Sequence, residues 1–221
     1  MQDNIPRRLL RIDCCAVSDA MDKLGLKDQV ASGLAQRATT RRIAGRVVTY
    51  RLVAAADAPP AAGAPRHLGT TAIELATAGD VIVVEQRTGI DAGSWGGILT
   101  LGAKVKGIAG VVADGPVRDI DEARAYGFPV YCRSLTARTA RGRVAEVEVN
   151  GAVTIGGVLV NAGDYVIADG SGVAFIPATE AVRVLDAAEA IAAREAAMAR
   201  ALLARQPITQ VMGADYEHML R

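Results

Sequence analysis

Apolar residues along this chain change their period several times, and each change marks an element. Between Ile12 and Leu24 they fall at Ala16, Val17, Ala20, Met21 and Leu24, one face of a short helix that Gly25 closes. From Ile43 to Val53 the run is β-branched and extended, a strand. The Ala-, Pro- and Gly-rich stretch Ala54 to Pro65 then reads as a loop. Leu68 to Ala76 has helical spacing, and Gly79-Asp80 turns the chain into the continuous apolar strand Val81 to Glu85. A loop over Gln86 to Trp95 leads to Gly96-Gly97, after which Ile98, Leu99, Leu101, Gly102 and Val105 recur with helical period until Gly107. A second buried strand covers Ile108 to Ala113, followed by a turn at Asp114-Gly115-Pro116, a short helix over Ile120 to Tyr126 and the strand Val130 to Arg133.

Strands dominate the next third. Val144 to Val149, Val153 to Val160, Tyr165 to Ala168 and Val173 to Ile176 read as successive antiparallel strands, with turns at Asn150-Gly151, Ala162-Gly163-Asp164 and Gly170 to Gly172. Thr179 is placed to cap a long Ala-rich helix reaching to about Arg205, and Pro207 ends it. Alternating strands and helices make this an α/β chain. One domain is expected over residues 1–178, with residues 179–221 forming a C-terminal helix and tail that reach past their own core toward a neighbouring subunit.

Composition narrows the function classes. The 25 Lys and Arg against 24 Asp and Glu leave a net charge of +1, too little to gather nucleic acid or a membrane surface, so any anion must be held by local groups. The opening residues Met1 to Leu10 have neither the apolar segment nor the cleavage site of a signal peptide, and no apolar run is long enough to span a bilayer. Cys14, Cys15 and Cys132 are odd in number and two are adjacent, which fits neither a disulfide framework nor a zinc cluster. Together these features predict a cytoplasmic protein with reduced thiols. With 2 Phe and 1 Trp the core must be built from small aliphatic side chains.

Two places can carry chemistry. Gly96-Gly97 precede a helix, where side-chain-free residues let an anion approach unpaired backbone N–H groups; the plainer alternative is a turn. Arg118 and Asp119 stand just beyond a buried strand's carboxyl end, where open α/β sheets place ligands. Arg118 offers a planar fork for a carboxylate and Asp119 a hard oxygen for Mg2+ or Mn2+; the plainer alternative is an Arg–Asp pair with Asp119 starting a helix. Taken together, they outline a site for a 2-oxo acid. His67, Trp95, Cys132, Asp19, Asp169 and His218 are weaker candidates, each with an ordinary structural role to hand.

The runs Trp95-Gly96-Gly97-Ile98-Leu99, Lys106 to Asp119 and Gly127-Phe128-Pro129-Val130 resemble the central block of the RraA-like family, which unites 4-hydroxy-4-methyl-2-oxoglutarate aldolases with regulators of ribonuclease activity. Ser18-Asp19-Ala20, Ile43 to Thr49, Gly79-Asp80-Val81 and Gly163 to Pro177 look like flanking parts of it, so the resemblance covers most of residues 12–205. It implies a swivelling β/β/α fold, a trimer or hexamer with sites at subunit boundaries, and a divalent metal in the aldolase branch. By that likeness Arg118 binds a pyruvyl carboxylate, Asp119 anchors Mg2+ or Mn2+, and backbone amides near Gly96, Gly97, Ile98 and Leu99 help hold the substrate. Glu195 of a neighbouring subunit matches a carboxylate that approaches the metal's waters. One position departs from the family: Gly97 stands where the aldolases carry an acid that handles protons, and Glu85, Asp91 and Asp114 are the replacements to examine. The implied activity is metal-dependent C–C cleavage of a small 2-oxo acid through a pyruvate enolate, including oxaloacetate decarboxylation. The alternatives are a non-catalytic regulatory protein, or a different metal-assisted lyase or hydratase.

Overall fold

The computed structural model describes residues 4–60 and 66–213; His218 lies outside them. Among the described residues, eleven strands and seven α-helices follow one another in this order. After helices α1 (Ile5–Leu9) and α2 (Cys14–Lys23) come the short strands β1 (Val30–Ala31) and β2 (Ala35–Gln36) and the long β3 (Ile43–Ala54). Helix α3 (Thr70–Leu75), β4 (Val81–Glu85), α4 (Gly97–Val105), β5 (Gly110–Val117), α5 (Ile120–Ala125) and β6 (Val130–Leu135) form the middle. Then come β7 (Val144–Val149), β8 (Val153–Ile155), β9 (Val158–Val160), β10 (Tyr165–Ala168), β11 (Val173–Ile176), α6 (Ala181–Leu203) and α7 (Ile208–Val211). Among the described residues no helix is long and apolar enough to cross a membrane.

Strand β3 organises the molecule because it serves two layers. Its first residues, Ile43 to Arg46, pair antiparallel with β10, whereas Val47 to Arg51 pair parallel with β4. The end of β3 also takes β7 antiparallel, through an irregularity between Arg51 and Leu52. The result is one curled nine-stranded sheet, in which β3, β4, β5 and β6 are parallel neighbours and β10, β11 and β1 extend it antiparallel. A mixed α/β fold of the swivelling β/β/α kind with a long C-terminal helix is therefore what the chain adopts.

Alternation along the parallel strands feeds two cores. Ile82 and Val84 join Val111, Ala113 and Val130 beneath α3, α4 and α5, while Val81, Val83, Val112 and Tyr131 face the β8–β9 hairpin, β10 and β11 on the other side. A third cluster packs α1, α2 and the first half of α6 on β10 and β11 through Leu9, Val17, Met21, Val184, Leu185 and Ile167. The buried side chains of α6 end at Ile191; Leu203 at its far end is exposed. At 23 residues the helix is about 35 Å long, so its second half extends beyond its own core.

Several sequence expectations change in the structure. Asp114-Gly115-Pro116 make no chain-reversing turn: β5 runs on to Val117, with a register shift against β6 between Ala113 and Pro116. The strand continues because buried Asp114 is paired with the Arg133 guanidinium and accepts the Gly156 N–H at 2.7 Å. Val153 to Val160 is a tight hairpin rather than one strand, since Gly156 and Gly157 both take positive φ. Nor do β7 and β8 pair with each other: β7 returns to β3. Thr179 does not cap α6, which begins from a 3-10 turn at Ala178–Glu180 with no capping side chain. Helix α1, within a stretch that reads as polar, forms because the Asn4 side chain accepts the Arg7 N–H and Leu9 is fully buried.

Candidate active site

Strand β5 delivers Arg118 and Asp119 to the mouth of a cavity of about 970 Å³, facing the start of α4. The loop before α4 is tied to the strand end at each step. Ser94 donates its N–H and its hydroxyl to the Pro116 carbonyl, both at 2.8 Å, and Arg118 N–H donates to the Trp95 carbonyl at 3.0 Å. From below, the Tyr50 hydroxyl donates to the Ser94 carbonyl at 2.5 Å. Trp95 is buried, stacks 6.5 Å from Phe128 and donates its indole N–H to Thr100 Oγ1, so it both packs the core and walls the cavity.

Asp119 starts a helix and pairs with Arg118, and it also does something more. It precedes α5 in a left-handed conformation, φ 58° and ψ 38°, and makes no capping hydrogen bond to that helix. Its Oδ2 instead accepts the Gly97 N–H, at the N-terminus of α4, at 3.0 Å. Helix α4 has no capping side chain of its own at Gly96, so the Asp119 carboxylate takes that role from another element, where the helix dipole favours negative charge. Arg118 Nε lies 3.2 Å from Asp119 Oδ2 and 3.3 Å from Oδ1. A left-handed, non-glycine backbone held by surrounding hydrogen bonds is typical of positions where geometry is being fixed.

Two glycines make room for this pair. A Cβ on Gly93 would come within 2.9 Å of Arg118 Cγ, and one on Gly96 within 2.9 Å of Asp119 Oδ2. Gly96, Gly97, Ile98 and Leu99 all line the cavity. Because the Gly97 N–H is already taken by Asp119, an incoming anion meets Arg118 and the amides further into the first turn of α4.

The cavity also gathers residues that sequence reasoning did not single out. Arg66, Arg141 and Glu146 line it together with His67, which has only a weak signature in the sequence. Glu146, on β7, accepts the Gly69 N–H at 2.6 Å. Burial holds its carboxyl above the ordinary value, against the pull of that hydrogen bond and of the His67 and Arg66 charges. Its position in an alternating strand carries no signal, since β7 reaches the site only through its pairing with the end of β3. Three arginines against two carboxylates give the cavity an anion-seeking wall.

The remaining candidates lie elsewhere. Glu85 accepts the Thr154 N–H at 2.6 Å, while Asp91 and Asp114 line a separate cavity of about 780 Å³ with Arg87 and Arg133. Glu195 is exposed on α6; burial, with Asp13 and Asp19 nearby, raises its carboxyl, and it does not line the Arg118–Asp119 cavity of its own chain. Burial likewise raises the Asp19 carboxyl, and Asp169 accepts the Cys14 N–H at 2.9 Å. Cys132 is a buried core thiol pushed up to about 11 by desolvation.

The family model described as RraA-like, Aldolase/RraA, matches residues 14–175. The chain belongs to this family. The match contains every residue lining the cavity and stops within β11, ahead of α6. Among curated relatives, the protein DlpA of Legionella pneumophila is 28% identical over 174 residues, 79% of this chain and 28% of DlpA. A Halalkalibacterium halodurans protein with the provisional name 4-hydroxy-4-methyl-2-oxoglutarate aldolase is 34% identical over 127 residues, 58% of this chain and 60% of its own. The chain thus spans less than two thirds of the length of either relative. Among solved structures, an uncharacterized protein from Pseudomonas syringae superimposes with a TM-score of 0.85 at 26% identity, over 96% of this chain and 98% of that one. RraAS2 of Streptomyces coelicolor, described as an unusual member of the RNase ES inhibitor RraA protein family, gives 0.75 at 26% identity over 88% and 95%.

Proposed function

We propose that the protein is a lyase that breaks a C–C bond of a small 2-oxo acid with the help of Mg2+ or Mn2+, as 4-hydroxy-4-methyl-2-oxoglutarate aldolase does and as oxaloacetate decarboxylation requires. The observation that carries this reading is the Asp119 carboxylate, turned away from its own helix and pinned by the Gly97 N–H beside the Arg118 fork in one cavity. Two hard oxygens on a backbone-fixed carboxylate suit a small divalent cation that keeps most of its waters. Among the described residues no three His, Cys, Asp or Glu side chains close round an ion, so water or a neighbouring subunit completes the shell. The Glu195 of a neighbouring protomer in a trimer or hexamer is our choice for that outer contact. When bound, the ion would supply Lewis-acid polarisation of the 2-oxo group.

The chain's own residues do the rest. Arg118 grips the carboxylate next to the oxo group with two parallel N–H donors, which fixes the plane of the acid. Arg66 and Arg141, across the cavity, meet the second carboxylate that both expected substrates carry. As the C3–C4 bond breaks, its electron pair passes into a pyruvate enolate, and the Arg118 charge offsets the new negative charge. In the aldol case the C4 hydroxyl gives its proton to water as the bond breaks and C4 leaves as a carbonyl; C3 then takes a proton from water to give pyruvate. The buried Trp95 and Leu99 side chains line one wall, while the Arg118 and Asp119 side chains stay 37% and 30% exposed to incoming substrate.

Pyruvate release from oxaloacetate and from 4-hydroxy-4-methyl-2-oxoglutarate, with Mg2+, Mn2+ or chelator, tests the reading against Asp119→Ala. Release is expected to need the metal and to fall about 100-fold or more in the variant. Release indifferent to chelator and to Asp119 would overturn it. No release from either acid would favour a binding role of the kind named for the Streptomyces relative.

A further inference from the structure

The cavity of about 780 Å³ shares no lining residue with the one around Arg118 and Asp119. It opens at the carboxyl ends of three parallel strands: Gln86 follows β4, Asp114, Gly115 and Pro116 come from the end of β5, and Arg133 and Ser134 from β6. Sheets of α/β proteins hold ligands at such ends. The register of β5 against β6 shifts between Ala113 and Pro116, which interrupts the pairing at this point, and Gly156 and Gly157 line the cavity from the β8–β9 turn.

The charges on its wall leave guanidinium donors to spare. The buried Asp114 carboxylate has both oxygens engaged, one by the Arg133 guanidinium and the other by the Gly156 N–H at 2.7 Å. Asp91 is paired with Arg138 at 3.4 Å. Arg87 stands 4.0 Å from Asp114, is about half exposed and makes no hydrogen bond with another described residue. Arg133 keeps N–H groups beyond the one it gives to Asp114. Gln86 is an independent sign. It is 3% exposed, and its Nε2 is fixed by two carbonyls, Ile90 at 2.9 Å and Ala92 at 3.4 Å, which identifies the other end of the amide as Oε1. Among the described residues no donor meets that oxygen. Buried polar groups are ordinarily partnered, so a buried acceptor on a cavity wall asks for a donor inside the cavity.

We propose that this cavity is a second ligand site, built for a small oxyanion that carries a hydroxyl group. Arg87 and Arg133 hold the oxyanion, and the hydroxyl donates to Gln86 Oε1. A phosphate ester of a polyol and a hydroxy acid share this chemistry. The site does not depend on which reaction the first cavity carries out.

Calorimetric titration of the full chain with inorganic phosphate, glycerol 1-phosphate and glycerate tests the assignment. One of the two hydroxylated anions should bind about 2- to 10-fold more tightly than phosphate, the gain from one further hydrogen bond, and which of them does so separates the ester from the hydroxy acid. Arg87→Ala should weaken that binding by about 10- to 100-fold, as expected when a charge-assisted contact is lost, whereas Arg118→Ala should leave it unchanged. Arg87 is exposed and makes no hydrogen bond with another described residue, so Arg87→Ala should keep its Tm within about 2 °C of the native value, and Arg87→Gln, which preserves the length of the side chain, should lose binding in the same way. Native affinity in either Arg87 variant, loss of binding in Arg118→Ala, equal affinity for all three anions, or no binding of any of them would overturn the proposal.

Discussion

Gly96→Ala tests whether the site is held by contact geometry as closely as the structure implies. Gly96 has φ −154° and ψ −174°, extended backbone open to any residue, so the substitution adds a methyl group without straining the chain. That methyl would stand 2.9 Å from Asp119 Oδ2 and 3.3 Å from Arg118 Cγ. Since C···O contacts of this kind settle near 3.3 Å, the carboxylate must retreat by about 0.4 Å. The 3.0 Å hydrogen bond from Gly97 N–H would then stretch past the normal limit of about 3.2 Å. A hydrogen bond to a charged acceptor contributes about 1.5–3 kcal/mol, so its loss predicts a fall of roughly 10- to 100-fold in Mn2+ affinity and in turnover. Stability should fall too, by about the 1.5–3 kcal/mol of the lost hydrogen bond, a Tm loss of about 3–12 °C, since exchanging Gly for Ala before a helix itself adds little. Calorimetric titration, pyruvate release and thermal unfolding read the three quantities. Gly102→Ala, on the same helix with nothing within 4 Å of its new methyl, is the matched control and should leave binding and turnover unchanged. Native affinity and turnover in Gly96→Ala would refute the idea that Asp119 depends on this contact.

Glu146 makes stability depend on pH in a defined direction. Burial raises its carboxyl in the folded chain, so the folded state holds the proton more tightly than the unfolded state, and stability declines as pH rises from about 4 through the raised value. Glu146→Gln removes that decline, and its Tm relative to the native protein should rise between about pH 4 and pH 7; a difference independent of pH would contradict the burial argument. The thiols should divide one against two. Burial pushes Cys14 up to about 12 and Cys132 up to about 11, whereas Cys15 is exposed, so a thiol reagent should find one fast group per native chain and three in denaturant. Cys15→Ser should abolish the fast phase.

Much of the fold is legible because burial on both faces leaves a plain signal. Val81 to Glu85 is apolar without interruption, and the structure puts it at the centre of the parallel sheet with alternate residues in two cores. What the pattern misses depends on partners distant in sequence. Asp114-Gly115-Pro116 has the residues of a turn, yet β6 pairs with Pro116 and Val117, and Arg133 neutralises the buried Asp114. Asn150-Gly151 likewise suggests a hairpin between β7 and β8, but β7 has already found the end of β3. Local chemistry specified a change of direction at each place; long-range pairing decided what followed it.

The same distinction runs through the site. Arg118, Asp119 and Gly96 to Leu99 are visible in sequence because strand, turn and helix place them together within one crossover. Arg66, Arg141 and Glu146 are not, since they arrive from elements on either side of it. Counting positions makes Gly97 a missing acid and sends the search to Glu85, Asp91 and Asp114, which the fold commits to Thr154, Arg138 and Arg133. Helix α5 begins at the Asp119 that binds the Gly97 amide, and Glu122, one turn later, has its carboxylate beside Gly97. A Cβ at 97 would overlap that carboxylate, so the glycine leaves room for a side chain that no count along the chain connects with it.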